Sequence, residues 1–456
     1  MSTTWTDTII ALATPQGIGA IGVIRLSGAE AISIVDSLFP GKSLALQPAN
    51  TLHVGVMKEG NKALDEVVIS IFKAPRSYTG ENVIEISCHG SSFIQQQVIE
   101  ACIRAGARMA NPGEFTMRAF LNGKMDLVQA EAVADLIAAA SQSAKEAALH
   151  QVKGGFSHVL SNMREELIKF SALIELELDF SQEDVEFADR TSLRNLLVLI
   201  ENTIYQLLES FQLGNVIKNG VSVAIIGKPN AGKSTLLNTL LNENRAIVSK
   251  IAGTTRDTIE EVLNIEGVLF RLIDTAGIRE GADEIEAIGV ERSLEKMRTA
   301  DLAVYLFDVN TDSREDIHQL RTLLSEQTKQ YLLVGNKIDA MHQENDMASM
   351  FGSDVLMISA KNNDHIEALK QALIEKVVSG KISTESTIVT NSRHFQSLNK
   401  VAENLSSIRK GMEEGISGDL LAIDIRQCLY HLGEITGAIS NEDQLDFIFS
   451  KFCIGK

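Results

Sequence analysis

The chain has 456 residues, of which 45% are hydrophobic and 22% charged, an ordinary balance for a globular protein with room for roughly two to four domains. A formal net charge of −18 argues against a broad basic surface for nucleic acid, so an RNA ligand would need a local patch or a basic partner. The four cysteines, Cys88, Cys102, Cys428 and Cys453, lack metal-type spacing, and neither a basic leader nor an apolar stretch of membrane-spanning length is present, so a reducing cytoplasm and no membrane are expected.

Residues 1–122 read as α/β. Thr8–Thr14, Ala20–Leu26, His53–Met57, Glu66–Phe72 and Val83–Cys88 are short, rich in β-branched residues and bounded by Gly, Pro or Asn, which predicts strands. In Val83–Cys88 the residues Ile84, Ile86 and Cys88 alternate with Glu85 and Ser87, so the pleat sends Glu85 to the face opposite the isoleucines. Ser91–Ala105 is expected to be helical. From Leu127 the period changes: Leu127, Ala130, Ala134 and Ile137 fit one helical stripe, and Leu160, Met163, Leu167, Phe170 and Ile174 fit another. Leu193, Leu197, Ile200, Ile204, Leu207 and Phe211 continue the rhythm up to residue 219. It returns late in the chain as Leu398, Val401, Leu405, Ile408 and Met412, then Leu421, Ile425, Cys428, Leu432 and Ile435.

Between these helical halves lies an ordered set of motifs. Gly227-Lys-Pro-Asn-Ala-Gly-Lys-Ser234 follows the apolar run Val221–Ile226 and precedes a predicted helix over Thr235–Leu241. Strand, glycine loop and helix make a phosphate cradle: backbone N–H groups converge on phosphate oxygens and the helix N-terminus adds positive potential. Lys233 would neutralise the β- and γ-phosphates, and Ser234 would ligate Mg²⁺. Gly253-Thr-Thr-Arg-Asp257, Asp274-Thr-Ala-Gly277, Asn336-Lys-Ile-Asp339 and Ser359-Ala-Lys361 follow in order. Asp339 can accept from both the ring N–H and the exocyclic amine of guanine, whereas adenine would leave its carboxylate unpaired, so the nucleotide is expected to be GTP.

The residue after Gly277 is Ile278, where many signalling GTPases carry a water-orienting glutamine. Isoleucine cannot orient water. The acidic stretch Arg279–Glu286 offers carboxylates for that task, or is simply a solvated loop. Positive charge on the phosphates could come from Arg256 or Arg279, or from a monovalent cation held with the help of Asn230. Thr255 is the natural second Mg²⁺ ligand, with Asp274 behind a metal-bound water. The simplest organisation is a helical domain, residues 123–219 and 381–456, interrupted by a GTPase domain of residues 220–380. An insert whose ends lie close together is tolerated in this way, and Lys381–Asn391, rich in Ser and Thr, is the return linker.

With these residues in hand, the chain resembles the MnmE (TrmE) family of tRNA-modification GTPases along nearly its whole length. The likeness is carried by Ala13-Thr-Pro-Gln-Gly-Ile-Gly-Ala-Ile-Gly-Val-Ile-Arg-Leu-Ser-Gly28, Ser77-Tyr-Thr-Gly-Glu81, the stretch Pro112–Lys124 and the ending Phe452-Cys-Ile-Gly-Lys456. It implies a multidomain α/β plus all-α protein. Its parts would be a folate-binding, dimerising N-terminal domain and a helical bundle split by a Ras-like P-loop domain with a parallel-rich sheet. The resemblance also implies a homodimer and a flavoprotein partner, MnmG, which carries the FAD, in a heterotetramer acting on tRNA. The pair would add an aminomethyl or carboxymethylaminomethyl group to the wobble uridine, using a formyl- or methylene-tetrahydrofolate one-carbon unit.

Residue by residue, the resemblance assigns folate contacts to Arg25, Glu85, Lys124 and Lys456, and potassium ligation to Asn230, Ser249, Ile251 and Thr254. Ser249 departs from that family's threonine but keeps a hydroxyl and a carbonyl. Glu286 matches the catalytic glutamate, which with Lys233 would serve hydrolysis, and Cys453 belongs to the modification centre. The GTP and GDP site takes in Asn230, Ala231, Gly232, Lys233, Ser234 and Thr235, then Ser249, Lys250, Ile251, Ala252, Gly253 and Thr254. Asp274, Thr275, Ala276 and Gly277 join it, as do Asn336, Lys337, Ile338, Asp339, Ser359, Ala360 and Lys361. An Era- or Der-like regulator of ribosome assembly is the alternative for the GTPase portion, although such proteins carry basic RNA-binding modules.

Overall fold

The computed structural model describes residues 6–179, 190–244, 261–273, 298–328, 330–341, 351–377 and 387–455. The chain divides into two units, Met1–Ala134 with Gln151–Leu196 and Glu403–Lys456, and Asp135–His150 with Leu197–Ala402.

The first unit opens with β1 (Thr8–Leu12), β2 (Ile21–Ser27), α1 (Ala31–Leu38), β3 (Thr51–Glu59), β4 (Lys62–Phe72), β5 (Val83–His89), α2 (Ser92–Arg104), β6 (Ala107–Met109) and α3 (Glu114–Leu121). The strands form one sheet in the order β3-β4-β5-β2-β1-β6, antiparallel except for the β1–β6 pair. Alternation decides its two faces. Ile10, Ile24, Leu26, Ile69, Ile71, Ile84 and Ile86 share a core with α1 and α2, while Ile9 and Ala11 turn the other way towards Phe115 and Tyr78. Arg25 and Glu85 stand on that second face, directly opposite each other across β2 and β5. The expected strand over Val83–Cys88 and its inward isoleucines are present. β6, at only three residues, and α1 and α3 were not anticipated.

Next come α4 (Leu127–Ala138), α5 (Gln142–Val152), α6 (Gly155–Asp179) and α7 (Arg190–Asn219). On α4 the stripe weakens along its length, with Leu127 and Ala130 fully buried and Ile137 45% exposed. Leu160, Met163, Leu167 and Ile174 of α6 are buried as their spacing predicts. The late helices are α11 (Ser392–Glu413), α12 (Gly418–Thr436) and α13 (Glu442–Phe449), and α12 packs along α6. In α13, Leu445, Ile448 and Phe449 close on Leu127, Ala130, Phe120 and Met117. This brings residues 450–455 onto the N-terminal sheet region. The Gly113 N–H donates to the Cys453 carbonyl at 3.3 Å, and a Cβ on Gly455 would strike the Leu12 carbonyl oxygen.

In the second unit the elements are β7 (Val221–Ile226), α8 (Lys233–Asn244), β8 (Glu261–Ile265), β9 (Val268–Leu272), β10 (Leu302–Asp308), α9 (Arg314–Gln327), β11 (Tyr331–Asn336), β12 (Val355–Met357) and α10 (Ile366–Val377). The sheet order is β12-β11-β10-β7-β9-β8, with every neighbouring pair parallel except β8–β9. α8 and α10 cover one face and α9 the other, so the strands are near-continuous apolar runs. The loops after β7, β10, β11 and β12 therefore leave at the same carboxyl edge, where ligands of open parallel sheets bind. Ala147 of α5, Ile217 of α7 and Ile388 of the returning segment form a separate small core.

Candidate functional site

β7 delivers the chain into the glycine loop at Gly227. A Cβ there would collide with the Leu306 carbonyl of the neighbouring strand, so only glycine lets the loop turn so close to β10. Asn230 adopts φ 62° and Gly232 φ 99°, after which α8 begins at Lys233. The Lys233 ammonium donates to the Gly227 carbonyl at 2.7 Å and the Lys228 carbonyl at 2.9 Å. Burial pushes the Lys233 pKa down from its ordinary value, because a desolvated ammonium is costly; a phosphate beside it would favour the charged form. Ser234 and Thr235 follow on the exposed first turn of α8, at the positive end of the helix. This is the place for a phosphate and for the hydroxyl ligand of a divalent cation.

Asn336, at the end of β11, joins the recognition loops. Its Nδ2 donates to the Ala231 carbonyl at 2.9 Å, and its Oδ1 accepts from the Ala360 N–H at 2.9 Å. One buried amide thus spans the phosphate loop, the Asn-Lys-x-Asp loop and the Ser-Ala-Lys loop. A Cβ on Gly232 would run into that same amide, which explains the glycine. Ser359 Oγ donates to Asp339 Oδ1 at 2.6 Å and accepts from the Asn362 N–H at 3.2 Å, fixing the Asp339 carboxylate at the site's edge. Ile338 and Asp339 sit in a 3₁₀ turn, Ile338–Ala340, whose N–H at Ile338 donates to the Ile358 carbonyl at 3.3 Å. Lys337 takes the left-handed φ of 70° that starts the turn, and its ammonium meets Asp308 Oδ2 at 2.8 Å. Burial raises the Asp308 pKa, but hydrogen bonds from Lys337 and Asn310 more than offset this and hold it below the ordinary carboxylate range. Lys361 is exposed beside Ala360.

Of the sequence-predicted residues, Asn230, Ala231, Gly232, Lys233, Ser234, Thr235, Asn336, Lys337, Ile338, Asp339, Ser359, Ala360 and Lys361 all lie at this one edge of the sheet. Ser249, Lys250, Ile251, Ala252, Gly253, Thr254, Thr255, Arg256, Asp274, Thr275, Ala276, Gly277, Arg279 and Glu286 lie outside the described residues, as does Lys456. Asp308, Asn310 and Asp312 were missed. Their only sequence signal is an Asp-rich turn after a strand, which by itself reads as a loop.

Of the predicted folate residues, Arg25 and Glu85 occupy the second face of the N-terminal sheet. Arg25 Nε and Nη2 donate to Glu85 Oε1 at 2.9 and 2.7 Å, a half-buried pair. The guanidinium sits 5.5 Å from the Tyr78 ring centroid and 5.9 Å from that of Phe115. Tyr78 is held by its hydroxyl to Thr116 Oγ1 at 2.8 Å, and burial raises its pKa above the ordinary phenol value. Beneath the Ser77–Glu81 loop, fully buried Arg118 pairs with Glu81, Asp7 and Glu114. Lys124 Nζ donates to the Pro75 carbonyl at 3.0 Å, beside the same loop. Gly455 packs on Leu12, whose cross-strand partner is Ile24, the neighbour of Arg25. The exposed Cys453 lies on that tail.

Comparison with known proteins agrees with both halves. The family model described as GTP-binding protein TrmE N-terminus matches residues 8–124, and the MnmE helical domain model matches residues 127–453. The tRNA modification GTPase MnmE of Cytophaga hutchinsonii is 57% identical over 100% of this chain and 99% of its own length. The chain belongs to the MnmE family of tRNA modification GTPases. The MnmE proteins of Flavobacterium psychrophilum and Bacteroides fragilis are each 51% identical, over 99% of both chains. Among solved structures, the G domain of the T. maritima FeoB iron transporter matches 35% of this chain at 25% identity with a TM-score of 0.26, too low to carry an argument. The multidomain α/β and helical architecture expected of an MnmE protein is the one present, and the chain is a GTP hydrolase. Among the described residues no helix is long and apolar enough to cross a membrane.

Proposed function

We propose that this MnmE-family GTPase is stimulated by potassium and works with the flavoprotein MnmG in the cytoplasm. Together they add an aminomethyl or carboxymethylaminomethyl group to the wobble uridine of tRNA, with a one-carbon unit from tetrahydrofolate. The observation that carries this reading is the placement of residues 453–455 against Leu12 and Gly113, on the same sheet that bears Arg25 and Glu85. A cysteine and a carboxylate–guanidinium pair over aromatic rings thus belong to one region of the N-terminal unit. The donor set suits a folate: Glu85 can accept from a pterin edge, Arg25 and Lys124 can meet its carboxylates, and Tyr78 and Phe115 offer ring faces. Lys456 is the further cation in this assignment.

In the GTPase unit, Ser234 and Thr255 would hold Mg²⁺, and Asn230, Ser249, Ile251 and Thr254 would hold K⁺; the two ions supply positive charge to the β- and γ-phosphates. Asn230 fits the role because its left-handed φ sets it at the loop's crest. Lys233 exchanges its carbonyl partners for phosphate oxygens, Asp339 reads guanine, and Glu286 positions water. Hydrolysis is coupled in turn to the modification centre. The homodimer is supported by β3, an edge strand whose Leu52, Val54 and Val56 are 69%, 71% and 38% exposed on one side.

Mass spectrometry of wobble uridines from a deletion strain tests the whole reading. The modified nucleoside should vanish; an unchanged tRNA pool with defective ribosome assembly would instead favour the Era- or Der-like alternative. Replacing K⁺ by Na⁺ at constant ionic strength should slow turnover. Calorimetric titration with formyl-tetrahydrofolate should show binding that Glu85→Gln abolishes.

A further inference from the structure

Lys228, the second residue of the glycine loop, is tied into the site at both ends. Its carbonyl accepts from the Lys233 ammonium at 2.9 Å and from the Ala231 N–H at 3.3 Å. Its own ammonium reaches Asp312 Oδ1 at 2.5 Å, in the turn between β10 and α9, with Asp316 at 3.9 Å. The Asp312 side chain is only 4% exposed, and its other oxygen accepts from the Asp308 N–H at 3.1 Å. Asp308 in turn holds Lys337, and Asn310 Nδ2 donates to the Lys337 carbonyl at 3.1 Å. A continuous polar chain therefore runs from the phosphate loop to the Asn336–Asp339 loop through Lys228, Asp312, Asp308 and Asn310, none of which is assigned to the nucleotide.

We propose that Lys228 and Asp312 are a positioning pair that fixes the height of the glycine loop, and so presents Lys233 to the phosphates at the distance nucleotide binding requires. The Lys228 side chain is 55% exposed, and exposed ion pairs contribute little to folding. The buried acceptor on a fixed turn is what turns the pair into a tether: Asp312 is already anchored by the β10 backbone, so Lys228 must come to it. Neither side chain is among the residues assigned to the nucleotide. The inference rests on Gly227–Ser234 being the phosphate cradle.

The test uses the full-length protein, a fluorescent GDP analogue and thermal melting. Lys228→Met and Asp312→Asn should each weaken GDP binding by about fivefold or more, a usual effect for breaking one link of a shared network. The double variant should be no weaker than either single one, and Lys228→Arg should restore affinity. Asp312→Asn is isosteric and keeps the acceptor for the Asp308 N–H, so it remains informative if Lys228→Met fails to fold. Affinity changed by less than fivefold in Asp312→Asn, whatever its melting temperature, overturns the proposal, as do additive losses in the double variant. Lys233→Ala separates the premise: if it binds GDP normally, the cradle reading itself fails.

Discussion

Replacing Asn336 by alanine removes a side chain that ties three loops at this edge of the sheet together. The amide is 2% exposed, and its partners Ala231 and Ala360 are 1% and 2% exposed, so water does not readily replace it. The change deletes hydrogen bonds of 2.9 Å on each side and leaves a carbonyl and an N–H orphaned. Each buried orphan costs about 1–3 kcal/mol, and relaxation at the rim of the sheet recovers part of it, so a net loss of about 3 kcal/mol is reasonable. If most of it is expressed in the bound state, GDP affinity falls by about a hundredfold. Asn336→Asp is the sharper variant. It keeps the acceptor for the Ala360 N–H but sets a carboxylate oxygen against the Ala231 carbonyl, so at neutral pH it should bind no better than Asn336→Ala. Titrations with a fluorescent GDP analogue measure the affinity, and amide hydrogen exchange at Ala360 reports the local bond. Wild-type affinity and wild-type protection of Ala360 in either variant would refute the bridging role.

Four further outcomes are expected. In the N-terminal unit, burial raises the Glu114 pKa, but hydrogen bonds from Arg108, the Asn111 N–H and Arg118 more than offset it and hold it below its ordinary value of 4.5; Asp7 is lowered in the same way by Arg108 and Arg118. A carboxylate lowered on folding stabilises above its unfolded pKa and loses that contribution as pH falls, so denaturant midpoints should drop below about pH 4.5 and be flat above it from this source. Arg118→Met, which strips Glu114, Asp7 and Glu81 of their fully buried cationic partner and leaves Glu114 and Asp7 only Arg108, should cost about 3–5 kcal/mol in the same assay. Burial pushes the Cys88 thiol up to about 11 and the Cys102 and Cys428 thiols up to about 12, whereas Cys453 is exposed. A disulfide reagent at pH 8 should therefore titrate a single fast thiol, absent in Cys453→Ser; a second fast thiol would contradict the buried placement. Gly267 in the β8–β9 turn has φ 86°, and a Cβ there would meet Ser143 Oγ of α5. Gly267→Ala should destabilise by about 1–2 kcal/mol in thermal melts, partly relieved by Ser143→Gly.

The glycine loop between strand and helix, the Asn-Lys-x-Asp turn and the inward isoleucines of β5 were all legible in the chain. Each depends on neighbours along the backbone: a glycine pattern, a fixed spacing, an alternation of period two. The order of the strands was not legible, because pairing joins segments that local pattern leaves unconnected. Arg25 and Glu85 stand 60 residues apart and meet only through the β2–β5 register, over rings from Tyr78 and Phe115 that no periodicity singles out. Lys228 and Asp312, 84 residues apart, become partners because the β7–β10 parallel pairing brings their loops to one edge. The exposure of Ile137 has the same origin: a helical stripe says which residues share a face, and only packing says how far along the helix that face is covered. By itself, then, the sequence determined the family, the GTPase activity and the longer strands and helices, since these are carried by short-range patterns, while the short β6, α1 and α3 escaped it. Which side chains brace one another around the nucleotide and on the N-terminal sheet was decided by tertiary structure, since hydrogen bonds and ion pairs depend on distances that only the folded chain sets.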